Sequence, residues 1–226
     1  MNRNLELIAR LGRPDLIIPL LRQILDDPAL IEEVASLSYR HVNHFDKIVL
    51  VDSAAQTGYR LTLHLWKPPY SDKEFHDELI HDHRFNFWST ILTGKLVTEN
   101  LQRAAGGMTF RQYQYIPENR GASKFYTFMG EESLIKVTPS AKHAGQSYFL
   151  RYESIHRVVL PREEMACTLV LRGPRQRQFS NIYNTAYPSS DLQVVHPMFT
   201  PCEVRGRLEA LIAAVARRPD YTEFGR

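Results

Sequence analysis

The sequence lacks several features that would assign a protein to a class at once. Its two cysteines, Cys167 and Cys202, are too few for a disulfide framework and have no metal-ligand spacing. Basic residues outnumber acidic ones by only 28 to 25, too small an excess to favour nucleic acid as a partner. No apolar run approaches the ~18 residues of a membrane span, and the N-terminal residues lack the pattern of a signal peptide. We therefore expect a cytoplasmic protein that binds neither nucleic acid nor a membrane.

Two kinds of hydrophobic periodicity divide the chain, whose 43% hydrophobic and 23% charged residues are typical of a globular protein. Residues 5–37 and those after Pro201 carry apolar side chains at three- and four-residue steps, which predicts helices. Asp27-Pro28 is expected to separate two of these helices. We predict a single domain, residues 1–226, with three parts. These are an N-terminal helical segment (1–46), a β-barrel (47–186) and a C-terminal extension with a helix (187–226).

The middle of the chain consists of short runs rich in β-branched and aromatic residues. They predict about nine to eleven strands, with tight turns between neighbours at Gly94 and at Gly106-Gly107. This spacing is typical of an antiparallel sandwich or barrel. The predicted fold class is therefore an all-β core flanked by N- and C-terminal helices.

Residues 80–84, Ile-His-Asp-His-Arg, are the most informative histidine-containing segment. Residues two apart on a strand point to one face, so His81 and His83 present their imidazoles together while Asp82 points away. His156 lies far along the chain between two predicted strands. Two ligands from one strand and one from a distant strand can form a three-histidine cap on a divalent metal, with positions left open for substrate and oxygen. Taken alone, a pair of alternating histidines is also compatible with a structural role.

Residues 80–94 resemble the first cupin motif, and residues 148–158 resemble the second, which supplies the later histidine. Over residues 59–171 the chain resembles thiol dioxygenases of the cysteine dioxygenase type. The resemblance implies an antiparallel, jelly-roll β-barrel that holds one Fe(II), with zinc, manganese or nickel as alternative metals. It also implies molecular oxygen as a co-substrate.

Two departures from these families change what the resemblance implies. The general cupin pattern has a glutamate ligand five residues after the second histidine, where this chain has Trp88, whose indole N–H cannot bind a metal. The resemblance therefore implies three histidine ligands without a carboxylate. Thiol dioxygenases also carry a Ser-x-His-x-Tyr run on a late strand. In its place this chain has either Thr168, Val170 and Arg172 or, one residue further along, Leu169, Leu171 and Gly173.

Strand alternation predicts the pocket around the metal. If Trp66 faces inward, as the resemblance suggests, then Arg60, Thr62 and His64 share its face and the leucines between them pack outside the barrel. Arg60 either anchors an anionic group of the substrate or pairs with a structural acid, because a buried cation needs a partner. His64 is a pocket wall, a base behind the ligands or an ordinary core histidine.

The expected site residues fall into three groups. The expected metal ligands are His81, His83 and His156. The residues expected to take part in catalysis are His64, Tyr148 and Arg172. The residues expected to bind substrate are Arg60, Thr62, Trp66 and Trp88.

The leading interpretation is a mononuclear non-heme Fe(II) oxygenase or dioxygenase that acts on a small polar, anionic substrate. A thiol, an amino acid or a biosynthetic intermediate fits this description. Cysteine itself is not expected as the substrate, because the late histidine and tyrosine are missing. A metal-dependent isomerase, lyase or hydrolase is the second interpretation, and a non-catalytic barrel that binds a small molecule is the third. The chain is also compatible with a homodimer.

Overall fold

A computed structural model describes residues 3–116, 126–186 and 197–219 of the protein. Within these ranges the helices are α1 (Arg3–Leu11), α2 (Pro14–Asp26), α3 (Pro28–Leu37), α4 (Asp72–His76) and α5 (Pro201–Ala216). The strands are β1 (Tyr39–Arg40), β2 (Asp46–Ser53), β3 (Tyr59–Trp66), β4 (Ile80–His81), β5 (Phe85–Thr93), β6 (Lys95–Tyr115), β7 (Tyr126–Lys136), β8 (Ser140–His143), β9 (Ser147–Leu150), β10 (Ile155–Val159), β11 (Ala166–Arg175) and β12 (Ser180–Asn184). No described helix is long and apolar enough to span a bilayer.

The strands form two antiparallel sheets. Sheet A has the order β1-β2-β3-β11-β5-β9. Sheet B has the order β10-β4-β12-β6-β7, and both β8 and β10 also pair with β6. Two antiparallel sheets flanked by helices confirm the predicted fold class.

Proline and aspartate determine where the N-terminal helices begin. Pro14 and Pro28 are the first residues of α2 and α3, where the missing backbone N–H costs no hydrogen bond. The Asp27 carboxylate accepts a hydrogen bond from the backbone N–H of Ala29 at 2.9 Å and so caps α3. The predicted break at Asp27-Pro28 is confirmed.

The terminal helices cover the outer face of sheet A. The leucines of β3 point towards them, as alternation predicts, and each fully buried side chain of this type contributes about 1.5–3 kcal/mol. This core between helices and sheet includes Ile8, Ile17, Leu21, Val34, Leu61, Leu63, Leu65, Leu169, Leu208 and Leu211. The opposite face of sheet A looks into the barrel, where the candidate site lies.

The register of β11 decides between the two alternatives left by the sequence. Thr168 lies opposite His64 of β3, and residues directly opposite on paired strands point to the same side of a sheet. The inward positions of β11 are therefore Thr168, Val170 and Arg172. Leu169 packs in the helix core, on the other face. The inward positions thus contain neither histidine nor tyrosine.

The predicted glycine turns need correction. Gly94 has φ +73° and joins β5 of sheet A to β6 of sheet B, so it forms a corner between sheets and not a hairpin between paired neighbours. The chain does not turn at Gly106-Gly107. Strand β6 continues through both residues as a bulge, with Arg103 and Met108 both opposite Leu134 of β7.

The long connection between β3 and β4 carries the short helix α4. Ser71 and Glu74 form a capping box at its start. Arg40 then binds Glu74 at 3.2 Å, and His44 Nε2 lies 2.7 Å from a carboxylate oxygen of Asp77. These contacts hold the connection against the segment between β1 and β2.

Candidate metal centre

Three histidines converge inside the barrel. Two come from neighbouring strands, and His83 lies in the connection after β4, outside the single strand that was expected to carry it with His81. His81 ends β4 and lies directly opposite His156 of β10, so the two side chains share one face. His83 follows in the connection that leads to β5. One nitrogen from each of the three rings lies within 4.8 Å of the other two. The spacing expected from the sequence thus brings all three imidazoles together.

Backbone carbonyls orient two of these rings. The Nδ1 atom of His81 lies 2.8 Å from the carbonyl oxygen of Leu79, and Nδ1 of His156 lies 3.2 Å from that of Ser154. A carbonyl oxygen only accepts, so each Nδ1 carries the hydrogen and each Nε2 carries a lone pair that can bind a metal. The His81 lone pair faces the side-chain nitrogen of Asn43 at 3.4 Å. Nε2 of His83 is buried and has no hydrogen-bond partner among the described residues. A divalent metal fits this set, because it would satisfy an otherwise orphaned nitrogen.

The surroundings keep the three rings neutral. Burial lowers the pKa of His156 to about 3, and the neighbouring His81 adds to the effect. Burial also lowers the pKa of His81 and, together with its histidine neighbours, holds the pKa of His83 well below the ordinary value. Metal binding requires deprotonated imidazole. At neutral pH the rings are therefore already in the binding form.

The residue between the first two ligands fastens their backbone to β12. Asp82 is 2% exposed, and its carboxylate accepts hydrogen bonds from the backbone N–H and the side-chain amide of Asn181, both at 2.6 Å. Arg177 also pairs with Asp82 and donates from Nε to the carbonyl oxygen of His83 at 3.1 Å. Asp82 thus points away from the three imidazoles, as alternation predicts, and fixes the segment that carries two of them.

A cleft of about 190 Å³ opens beside His156. Tyr148, which the sequence placed near the pocket, lies in its wall. Burial raises the pKa of Tyr148, so its phenol keeps its proton at neutral pH. The other lining residues are Thr98, Asn100, Lys142, Phe149, Leu150 and Val158.

His64 and Thr62 lie on the inner face of sheet A. The His64 ring stacks on Phe45 with 4.3 Å between ring centroids, and its Nε2 lies 3.3 Å from the Thr62 hydroxyl. Burial lowers the pKa of His64 well below its ordinary value, with the charges of Lys47 and His81 adding to the effect. His64 is therefore a neutral ring within electrostatic reach of a candidate ligand. Trp66 packs with Phe45 in an apolar cluster.

The two expected arginines lie together on the inner face of sheet A, but neither lines the cleft. Arg60 forms an ion pair with Asp52, the structural partner that the sequence left as the alternative. Arg172 is 8% exposed, and its guanidinium carbon lies 5.0 Å from the ring centroid of Phe85. Burial and the charge of Arg60 lower the pKa of Arg172 to about 10.

Trp88 lies away from the candidate site. It belongs to the core between sheet A and the terminal helices and packs on Phe149 at 5.4 Å between ring centroids. The expectation that it binds substrate requires correction, because β5 is buried over most of its length and its sequence gives no alternation from which to choose a face.

Sequence analysis missed three polar residues near the centre. Asn43 places its side-chain nitrogen 3.4 Å from His81 Nε2. Asn100 lies opposite His156 in the β6–β10 ladder, and Lys142 belongs to β8, which was not predicted. Alternation along β6 from Leu96 identifies Asn100 as inward-facing. Nothing in the sequence of residues 140–143 identifies Lys142.

Comparisons with known proteins find remote structural similarity only. Neither a protein-family model nor a curated protein matches the chain. Among solved structures, the cupin domain of Drosophila melanogaster CENP-C is 9% identical, with a TM-score of 0.35 over 60% of this chain and 74% of that one. The polyketide cyclase RemF of Streptomyces resistomycificus is 14% identical, with a TM-score of 0.38 over 67% and 80%. Bacillus subtilis oxalate decarboxylase, which has Mn(II) centres, is 11% identical, with a TM-score of 0.36 over 66% of this chain and 30% of its own. These similarities concern the fold alone, and the chemistry of this chain depends on its own side chains.

Proposed function

We propose that the protein is a mononuclear non-heme Fe(II) oxygenase for a small polar, anionic substrate. The observation that carries this proposal is the cluster of three neutral imidazoles, one buried and two partly buried, with ligand nitrogens within 4.8 Å of one another and a cleft large enough for a small ligand beside His156. The ligand set is also the one implied by the resemblance to thiol dioxygenases. Three protein ligands leave positions open on a metal.

When bound, iron supplies one-electron chemistry that allows the substrate to react with oxygen. The chain's own residues hold and surround it. His81, His83 and His156 provide the nitrogens, and the carbonyls of Leu79 and Ser154 fix two of the ring orientations.

Two further residues can handle protons near the centre. Tyr148 keeps its phenolic proton and can donate a hydrogen bond into the cleft from the wall that it shares with His156. His64 is neutral and its Nε2 lies 3.3 Å from the Thr62 hydroxyl, so the ring can accept a hydrogen bond. We assign the donor role to Tyr148 and the acceptor role to His64.

The test is metal analysis of freshly purified protein followed by oxygen-uptake measurements with candidate substrates. The proposal expects about one iron per chain and oxygen consumption that depends on the substrate. His83→Ala should lose the metal, whereas the exposed His76→Ala should retain it. Zinc or manganese with turnover in the absence of oxygen would instead establish a Lewis-acid isomerase, lyase or hydrolase. A metal-free protein that binds small molecules would establish a binding module.

Cysteine serves as a negative control in the same assay. The inward positions of β11 are Thr168, Val170 and Arg172, so these positions offer no histidine and tyrosine for a relay beside the metal. We expect negligible oxygen uptake with cysteine. Efficient formation of cysteine sulfinate would contradict this part of the proposal.

A further inference from the structure

The cleft beside His156 contains a cation without an acidic partner. Lys142 lines the cleft from β8. Its ammonium binds the Ser140 hydroxyl and lies 4.8 Å from the ring centroid of Tyr148. Among the described residues it has no ion pair, and burial lowers its pKa. Burying an ammonium group without a counter-ion costs free energy, and a bound anion would offset that cost.

Neutral polar groups lie beside this ammonium. Asn100 is directly opposite His156 in the ladder between β6 and β10, so both side chains project to the same side. The carboxamide of Asn100 makes no hydrogen bond to the described residues. Its NH₂ group is a donor, and donors are what a carboxylate requires. The metal ligand, the amide and the ammonium therefore share one cleft.

The other inward-facing cations are less suited to this task. Arg60 is paired with Asp52, and Arg172 lies against Phe85 with its Nη2 atom 3.5 Å from the carbonyl oxygen of Gly58. Lys47, which lies opposite His64 and so faces inward as well, has its ammonium 5.7 Å from the ring centroid of Tyr39. None of these three residues lines the cleft. Lys142 has no ion pair among the described residues, and it lines the same cleft as the candidate metal ligand His156.

We propose that this cleft binds the carboxylate of the substrate, with Lys142 Nζ as its ion partner and the Asn100 amide donating to one of its oxygens. The Tyr148 ring then packs on the apolar part of the ligand. This assignment rests on the proposed function and adds the substrate class, a small monocarboxylate. The cleft, with a volume of about 190 Å³, has room for a carboxylate carried on a single ring.

The experiment compares 4-fluorobenzoate with its neutral isostere 4-fluorobenzamide by fluorine NMR titration of the zinc-loaded protein. Because a hydrogen bond between the ammonium and a carboxylate is stronger than one to a neutral amide, we expect the benzoate to bind at least about tenfold more tightly than the amide. Lys142→Met should abolish the preference while the zinc stoichiometry and the unfolding midpoint stay unchanged. Lys142→Arg should preserve it. The matched control, Arg60→Met, should also keep the preference.

Several outcomes would overturn the assignment. Equal binding of the two probes, absence of saturable binding to the wild type, or a preference that survives Lys142→Met would each do so. Loss of the preference in Arg60→Met alone would place the carboxylate at Arg60 instead. Repeating the titration with metal-free protein separates this inference from the proposed function. Failure to bind any metal defeats the oxygenase proposal, whereas the benzoate preference and its dependence on Lys142 are still measurable.

Discussion

At the scale of single residues, the candidate centre depends on keeping histidines uncharged. His156 is buried and His81 and His83 are partly buried beside it, and a positive charge on one ring would repel a second. Metal binding and burial therefore favour the same protonation state. The free energy of unfolding should therefore fall in acid, because the histidines bind protons in the unfolded chain at pH values where they stay neutral in the folded chain.

The first prediction concerns this acid sensitivity in the metal-free protein. The pKa of His156 is about 3 when folded and 6.5 in an unperturbed chain, so the unfolded state binds more protons below pH 6.5. Stability should fall by about 1.4 kcal/mol per pH unit for each such histidine as the pH drops from 6.5 towards 3. Urea unfolding between pH 7 and pH 5 measures this slope. His156→Gln should flatten it, and the exposed His76→Gln should not. An unchanged slope in His156→Gln would contradict the mechanism.

The direction of a side chain could be predicted from the sequence where polar and apolar residues alternate along a strand. Where they do not alternate, it could not be predicted. Segment β3 alternates polar and leucine residues, and its two faces are those expected from the sequence. Trp88 lies in a strand that is buried on both faces, so its sequence does not show that the side chain packs towards the terminal helices. Lys142 and Asn43 reach the centre through tertiary contacts that a local pattern does not encode.

At the scale of secondary-structure elements, short polar strands hold the ligand segment in place. Strand β4 has two residues and pairs with both β10 and β12. The sequence placed His81 and His83 on one strand, but β4 ends at His81 and is too short to show a period. Strand β12 was not predicted, because its sequence is Ser-Asn-Ile-Tyr-Asn. Hydrogen bonds to Asp82, rather than strand propensity, keep them together.

The second prediction tests the anchoring of this segment. Asp82→Asn leaves Arg177 without its carboxylate partner in a site that is almost fully buried on the Asp82 side. We expect a loss of about 3–5 kcal/mol in the free energy of unfolding and a zinc affinity weakened by about 10–100-fold. Competition with a metal-binding dye measures the affinity of the folded protein. Asp15→Asn, at an exposed ion pair, is the control and should change neither quantity.

The third prediction compares two glycines in different backbone environments. An added Cβ at Gly94 would lie 2.3 Å from the carbonyl oxygen of Met165, at a φ of +73°. Gly94→Ala should therefore destabilise the protein by about 1–3 kcal/mol. Gly206 lies inside α5 with no atom within 4 Å of an added Cβ. Gly206→Ala should stabilise the protein by about 0.5–1 kcal/mol through helix propensity. Chemical denaturation of both variants checks the opposite signs.

At the scale of the whole molecule, the largest core cluster and the candidate metal ligands belong to different parts of the fold. The helices pack on sheet A, where the largest core cluster lies. His81 and His156 belong to sheet B, and His83 lies in the connection between the sheets. The fold class could be predicted because it follows from the periodicity of many residues at once. The order of strands within each sheet could not, because it depends on long-range pairing.

The fourth prediction follows from this division. Leu208 of α5 is fully buried in the helix core. Leu208→Ala should lower the free energy of unfolding by about 2–5 kcal/mol while the folded protein binds zinc with unchanged stoichiometry. Leu7→Ala, at a position that is 47% exposed, should change stability by no more than about 0.5 kcal/mol. A loss of zinc binding in folded Leu208→Ala would show that the helices also shape the centre.

The single ladder contact between His81 and His156 has a consequence for chain topology. These residues face each other across neighbouring strands, yet about a third of the chain separates them in sequence. A metal bound to both would act as a reversible cross-link that closes this long loop. The entropy lost when a loop closes grows with the length of the loop. Because such a cross-link forms in the folded state, each tenfold rise in free metal above the dissociation constant adds about 1.4 kcal/mol to the free energy of unfolding. The ion would then stabilise the contact between the two ends of residues 81–156, in addition to any role in catalysis.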